Sequence, residues 1–131
     1  MERDSSLEII HTYGWYMRKY IIDAKEAGGI PIILSLVPRN IWTEEGTVVR
    51  ASGSYGKWAA ESAEAEGAYF IDLNEIVAAK YEEIGPERIG KEFFLRDHTH
   101  TTLVGAKLNA ESVVEGIREI EDCPLNKYLS E

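Results

Sequence analysis

"IPIILSLV", residues 30–37, decides the fold. The run is apolar but for Ser35 and Pro31, rich in Ile, and bounded by Gly28-Gly29 before it and Pro38 after it. It is too short for an ordinary helix and far below the roughly 18 residues that cross a bilayer. A short apolar run without polar alternation reads as a strand buried on both faces, the kind found inside parallel sheets.

The flanks extend this reading. Upstream, Tyr13, Met17, Tyr20, Ile21, Ala24 and Ala27 share one face at helical spacing, and Gly28-Gly29 stops that helix. The aromatic cluster Tyr13, Trp15, Tyr16 and Tyr20 is expected to pack helix against sheet rather than to form a sugar platform. Downstream, residues 38–54 read as a long loop with a turn at Glu45-Gly46. A second helix presents Tyr55, Trp58, Ala59, Ser62 and Ala65 and ends at Gly67. "AYFIDL", residues 68–73, is a second apolar strand. A third helix carries Leu73, Ile76, Val77, Lys80, Tyr81 and Ile84 to Gly85-Pro86. A fourth runs from about Thr102 to Glu119, capped by Thr101 or Thr102, with Leu103, Ala106, Ala110, Val113 or Val114, and Ile117 as its buried face. The tail "DCPLNKYLSE" reads as irregular.

Strands alternating with helices imply parallel pairing with helices on both faces. A parallel sheet of two strands cannot cover four helices or bury its own edges. The expectation is therefore a three-layer α/β/α, flavodoxin-like fold that is incomplete in this chain. It has two clear parallel strands and about four helices, and a partner segment lies outside the chain or is supplied in trans.

Bulk properties bound the function. The chain has 131 residues, one domain's worth, with 44% hydrophobic and 28% charged residues, which is ordinary for a globular protein. A net charge of −9 excludes a broad nucleic-acid-binding face. No apolar run is long enough to span a membrane, and "MERDSSLEII" lacks the apolar core of a signal peptide. The single cysteine, Cys123, has no partner for a disulfide within the chain.

"FFLRDHTHTTLVGAK", residues 93–107, holds the chemistry: Asp97, His98 and His100 sit in four positions just before a helix. Asp-x-x-His lets a carboxylate reach Nδ1 of the imidazole and leaves Nε2 as an acceptor, the arrangement a serine nucleophile needs. Two other readings share the same residues. A polar loop before a helix can be solvated capping, and Asp97, His98 and His100 can form a partial zinc site if His11 joins them. A surface or capping role is the simpler reading of His11. After the first strand, at the end where doubly wound folds bind ligands, Arg39, Asn40 and Trp42 are candidate substrate-binding residues. Trp42 can stack on a sugar, while Arg39 or Asn40 bonds hydroxyls or a uronate carboxylate; the plainer alternative is a loop with an anchoring Trp. Screening beyond about 8–10 Å lets an acidic chain keep a locally basic rim for an anionic sugar.

"DHTHTTLVGAKLNAESVV" resembles the last conserved block of the SGNH (GDSL-type) hydrolases, in their rhamnogalacturonan acetylesterase-like branch. "GGIPIILSLVPRNIW", "GKWAAESAEAEGAYFIDLNEIVAAKYEEIG" and "HTYGWYMRKYI" are similar to preceding segments of that branch, so the likeness spans about residues 10–120. The resemblance implies that Asp97 is the triad acid and His100 the triad base, with His98 a spacer. It implies no cofactor, an acetylated polysaccharide or oligosaccharide substrate, and a secreted or periplasmic setting, although no residue here reports localisation. The family's Gly-Asp-Ser nucleophile and its oxyanion donors have no counterpart. Serines stand at 5, 6, 35, 52, 54, 62, 112 and 130, none in that motif. Residues 1–131 are thus expected to be the C-terminal portion of a single domain, inactive alone, in a carbohydrate acetylesterase. A general GDSL-type lipase or acylhydrolase and a non-catalytic carbohydrate- or protein-binding module are the alternatives. Self-association, or pairing with the missing segment through an open sheet edge, is the expected form of partnering.

Overall fold

The computed structural model describes residues 8–130; Ser5 and Ser6 lie outside them. Its elements are α1 (Tyr13–Glu26), β1 (Ile32–Leu34), α2 (Tyr55–Glu66), β2 (Tyr69–Ile71), α3 (Leu73–Ile84), the single turn α4 (Pro86–Arg88) and α5 (Leu103–Glu119). A π-helical segment (Ile89–Phe93) continues α4, and a 3₁₀ turn (Pro124–Tyr128) follows α5. The tail is therefore not irregular throughout. Pro124 starts its turn, and Asn126 Nδ2 donates to Ile120 O at 2.6 Å.

The strands pair in parallel, with Ile32 opposite Tyr69 and Leu34 opposite Ile71. This is the two-stranded parallel α/β arrangement expected. The strands are shorter than the apolar runs that contain them, and β1 is only half-buried along its length. Its flanks Ile30, Leu36 and Val37 are 60%, 40% and 40% exposed, against the expectation of a strand buried on both faces. The reason is coverage. α2 rests on one face of the ribbon and α5 on the other, but among the described residues β1 has a neighbour on one edge only.

The helix faces show the same deficit. On α1, Ile21 alone is fully buried, and Tyr20 and Ala27 are exposed. The aromatic cluster does not pack on the sheet. Tyr13 meets Tyr55 of α2 edge-on at 5.1 Å, and Trp15 stacks with His11 at 3.7 Å. On α2 the buried residues are Gly56, Ala59, Ser62 and Ala63; Tyr55, Trp58 and Ala65 turn outward. α3 buries Leu73, Val77 and Tyr81 as the spacing requires, with Asn74 and Ala78 beside them.

On α5 the expected face is rotated. Leu103 is 86% exposed, Ala106 and Ala110 face outward, and the buried residues are Gly105, Ser112, Gly116 and Ile117. Small residues line this face because the helix lies against backbone and branched side chains. A Cβ on Gly116 would stand 2.3 Å from Ile71 Cγ2, and one on Gly105 would stand 2.4 Å from the carbonyl oxygen of Phe93. Hydrophobic periodicity located the apolar stripe of α5, but among the described residues only its later part is covered, where Ile117 is buried and Val113 packs on the core, while Leu103, Ala106 and Ala110 stay exposed. Gly105→Ala is expected to cost about 1–3 kcal/mol, because Phe93 O is backbone and cannot swing aside. Urea unfolding followed by circular dichroism measures this, and a wild-type midpoint would show that α5 can move away without cost.

Two polar assemblies fix the loops. Ser35, 5% exposed, donates from Oγ to Asp72 Oδ1 at 2.7 Å and accepts the Asn74 N–H at 2.8 Å. Asn74 in turn donates to Leu36 O at 2.9 Å and accepts from the Ala51 N–H at 3.0 Å. Ser35 is thus a structural hydroxyl. Arg50 bonds Glu75 at 2.8 Å and Glu82, and Glu82 also accepts the Val48 N–H at 2.8 Å. These partners raise the Arg50 pKa further and hold both carboxyls below their usual range. The loop of residues 38–54 is therefore tied to α3, with its turn closed by Thr43 N–H to Thr47 O at 2.8 Å and Gly46 at φ 81°.

Candidate active site

The Asp97 loop stands on a buried base. Phe93 and Phe94 are 5% and 2% exposed and belong to the core formed with Val48, Leu73, Val77, Tyr81 and Ile89. Phe94 and Thr101 form an antiparallel bridge, Leu95 N–H donates to His100 O at 2.9 Å, and Thr102 N–H donates to Phe93 O at 2.9 Å. Thr102 then caps α5, accepting the Gly105 N–H at 3.3 Å, while its own hydroxyl donates to Glu92 O at 2.6 Å. Both ends of the loop are therefore pinned within ten residues of each other.

Between those ends, His100 Nδ1–H donates to Asp97 Oδ2 at 2.7 Å. Asp97 Oδ1 accepts two backbone donors, Thr99 N–H and His100 N–H, each at 2.7 Å. The His100 amide, the His100 ring and the Thr99 amide all favour the charged form, and they hold the Asp97 carboxyl well below the ordinary range. With Nδ1 as donor, Nε2 is the acceptor on an imidazole whose side chain is 73% exposed. Such a dyad can take a proton from a hydroxyl and return it to a leaving group.

The zinc reading finds no such geometry. Both Asp97 oxygens are engaged, His98 Nδ1 lies 2.9 Å from Thr99 Oγ1, and His11 stacks on α1. Among the described residues no group of three His, Cys, Asp or Glu converges to hold a metal ion. The Thr99 amide was not singled out from sequence; an Asp followed by a tight polar turn was the available signal.

Of the candidate substrate contacts, Arg39 is exposed, whereas Asn40 and Trp42 are half-buried. Trp42 packs on the core beneath the loop and pairs with Val48 across the 43–47 turn. Its Nε1–H donates to Asn40 Oδ1 at 2.8 Å, and Asn40 N–H donates to His98 O at 2.9 Å. The structure therefore does bring the loop after β1 beside the Asp97 loop, at the carboxyl end of the strand. A groove of about 1210 Å³ lies elsewhere, between α1 and α2, lined by Trp15, Tyr55 and Trp58 and by no residue of either loop. The dyad itself is open to solvent, with His100 and Asp97 side chains 73% and 47% exposed. Among the described residues no helix is long and apolar enough to cross a membrane.

No protein-family model matches the chain. Curated proteins do. The chain is 32% identical over 113 residues to the probable rhamnogalacturonan acetylesterase YesY of Bacillus subtilis, covering 83% of this chain and 52% of that protein. It is 26% identical over 110 residues to a rhamnogalacturonan acetylesterase of Emericella nidulans, covering 84% and 44%. It is 27% identical over 131 residues to the rhamnogalacturonan acetylesterase RhgT of Bacillus subtilis, covering 90% and 56%. The chain thus spans about half the length of the curated relatives it matches. Among solved structures, the crystal structure of protein YxiM from Bacillus subtilis matches with a TM-score of 0.74 at 28% identity, over 81% of this chain and 30% of that one. Sequence and fold agree that the family this chain resembles is the SGNH hydrolases, in their rhamnogalacturonan acetylesterase-like branch.

Proposed function

We propose that the chain supplies the acid and base of a serine ester hydrolase that removes acetyl groups from a plant-wall polysaccharide such as rhamnogalacturonan. The observation that carries this reading is the Asp97–His100 pair, joined at 2.7 Å with Nε2 facing solvent. In the proposed reaction a serine from outside residues 1–131 attacks the acetyl carbonyl, and His100 Nε2 takes its proton. Amide donors, also from outside, hold the oxyanion. His100 returns the proton to the sugar oxygen as the ester C–O bond breaks; a water deprotonated by His100 then attacks the acyl-serine, releasing acetate and restoring the serine. Arg39, exposed and next in sequence to the Asn40 that bonds His98 O, is the proposed contact for sugar hydroxyls or a uronate carboxylate. The chain is read as the C-terminal portion of a single domain. Its open β1 edge and the uncovered stripe of α5 are where the nucleophile-bearing segment would dock.

The reading predicts that the purified chain hydrolyses an aryl acetate no faster than background, because roughly 10⁶-fold acceleration needs nucleophile and oxyanion hole together. Turnover that is abolished by His100→Ala would overturn it by placing the nucleophile within these residues. An in-frame Gly-Asp-Ser about 100 residues before Met1 in the gene would support it.

A further inference from the structure

The peptide unit joining His98 to Thr99 is gripped from both ends. Its carbonyl, His98 O, accepts the Asn40 N–H at 2.9 Å. Its amide, Thr99 N–H, donates to Asp97 Oδ1 at 2.7 Å. A peptide unit is planar, so one group cannot turn without the other. Rotation of this plane would draw Thr99 N–H off Asp97 and loosen the carboxylate that His100 Nδ1 depends on. The hold on the carbonyl end traces back to Trp42. Its indole N–H donates to Asn40 Oδ1 at 2.8 Å, and its ring is wedged on the core beside Val48. Val48 is fixed to α3 through Glu82.

We propose that Asn40 and Trp42 are positioning residues that lock the His98–Thr99 peptide plane and so keep Asp97 aligned on His100. Both were candidates for sugar contact. Trp42 Nε1–H, Asn40 Oδ1 and the Asn40 N–H also form an internal chain running from the core to the loop. The functional meaning rests on the esterase reading above, but the brace is measured without turnover, so either can fail alone.

The test is nuclear magnetic resonance on the 131-residue chain, combining amide hydrogen exchange with the ¹⁵N shifts of the His100 ring. Trp42→Phe removes the indole donor and keeps an aromatic wedge; Asn40→Leu removes the acceptor. Each is expected to speed exchange at Thr99 and Asn40 about fivefold relative to the amides of α3, the loss of one ordinary hydrogen bond. Each should also move His100 from the Nδ1–H toward the Nε2–H tautomer. Asn40→Asp keeps an acceptor for Trp42 and is expected to retain slow exchange at Thr99. Unchanged exchange in Trp42→Phe and Asn40→Leu would overturn the proposal. So would equal acceleration throughout α3, which would mean that the pair serves only global stability.

Discussion

Asp97→Asn is expected to slow ester hydrolysis by roughly 10⁴-fold in an enzyme assembled from this chain and the proposed nucleophile-bearing segment. The substitution preserves shape and reverses one polarity. Oδ1 of the new amide can still accept the Thr99 and His100 N–H groups, which fixes its NH₂ toward His100 Nδ1. Nδ1 must then accept, so the proton moves to Nε2 and the base faces the serine already protonated. Turnover of an aryl acetate checks the rate, and the His100 ¹⁵N shifts check the tautomer. Wild-type turnover in the Asn variant would remove Asp97 from the reaction. A pH signature accompanies this prediction. The folded-state pKa of Asp97 is depressed, so its contribution to stability is complete above the unfolded value of about 3.9 and is lost as pH falls toward the folded value. The gap in melting temperature between wild type and Asp97→Asn should be constant above about pH 5 and close progressively below about pH 4.

Tyr81 should show the largest stability effect. It is fully buried in α3 and meets Phe94 edge-on at 5.8 Å, so it supports the base of the Asp97 loop. Tyr81→Ala is expected to cost about 3–5 kcal/mol, the usual range for deleting a buried aromatic ring. Tyr81→Phe should behave in the opposite sense. The phenol has no hydrogen-bond partner among the described residues, and burial pushes its pKa up to about 12. Removing an unpaired buried hydroxyl stabilises by up to roughly 1–3 kcal/mol. Urea melts of the three proteins decide the matter, and a destabilised Phe variant would reveal a partner for the hydroxyl.

Local signals were the legible ones. The turn at Gly46, the cap at Thr102 and the Asp97–His100 bond each depend on a few neighbouring residues, and the parallel pairing follows from the alternation of strands with helices. What misled was burial. Periodicity marked Leu103, Ala106 and Ala110 as an apolar face, and apolar they are, but nothing among the described residues lies on them. A hydrophobic stripe announces that some surface covers it, not that the surface is in the same chain. Gly105 and Gly116 carry no hydropathy signal, yet they mark the face that touches. The Asn40–His98 contact was invisible because it joins backbone groups far apart in sequence, which no side-chain pattern reports.

Every hydrogen bond to the Asp97 carboxylate comes from within the segment Asp97 to His100. The dyad is consequently encoded in a word of four letters, set on a frame of two backbone rungs below Leu95. Such a unit is portable. Grafted onto another closed loop, it would keep its bonds there if that loop also offered a donor to the His98 carbonyl, as Asn40 does here. The distance from imidazole to nucleophile has no such local spelling, since it depends on how whole layers stack. An intact acid–base pair of this kind therefore says nothing by itself about where its nucleophile stands.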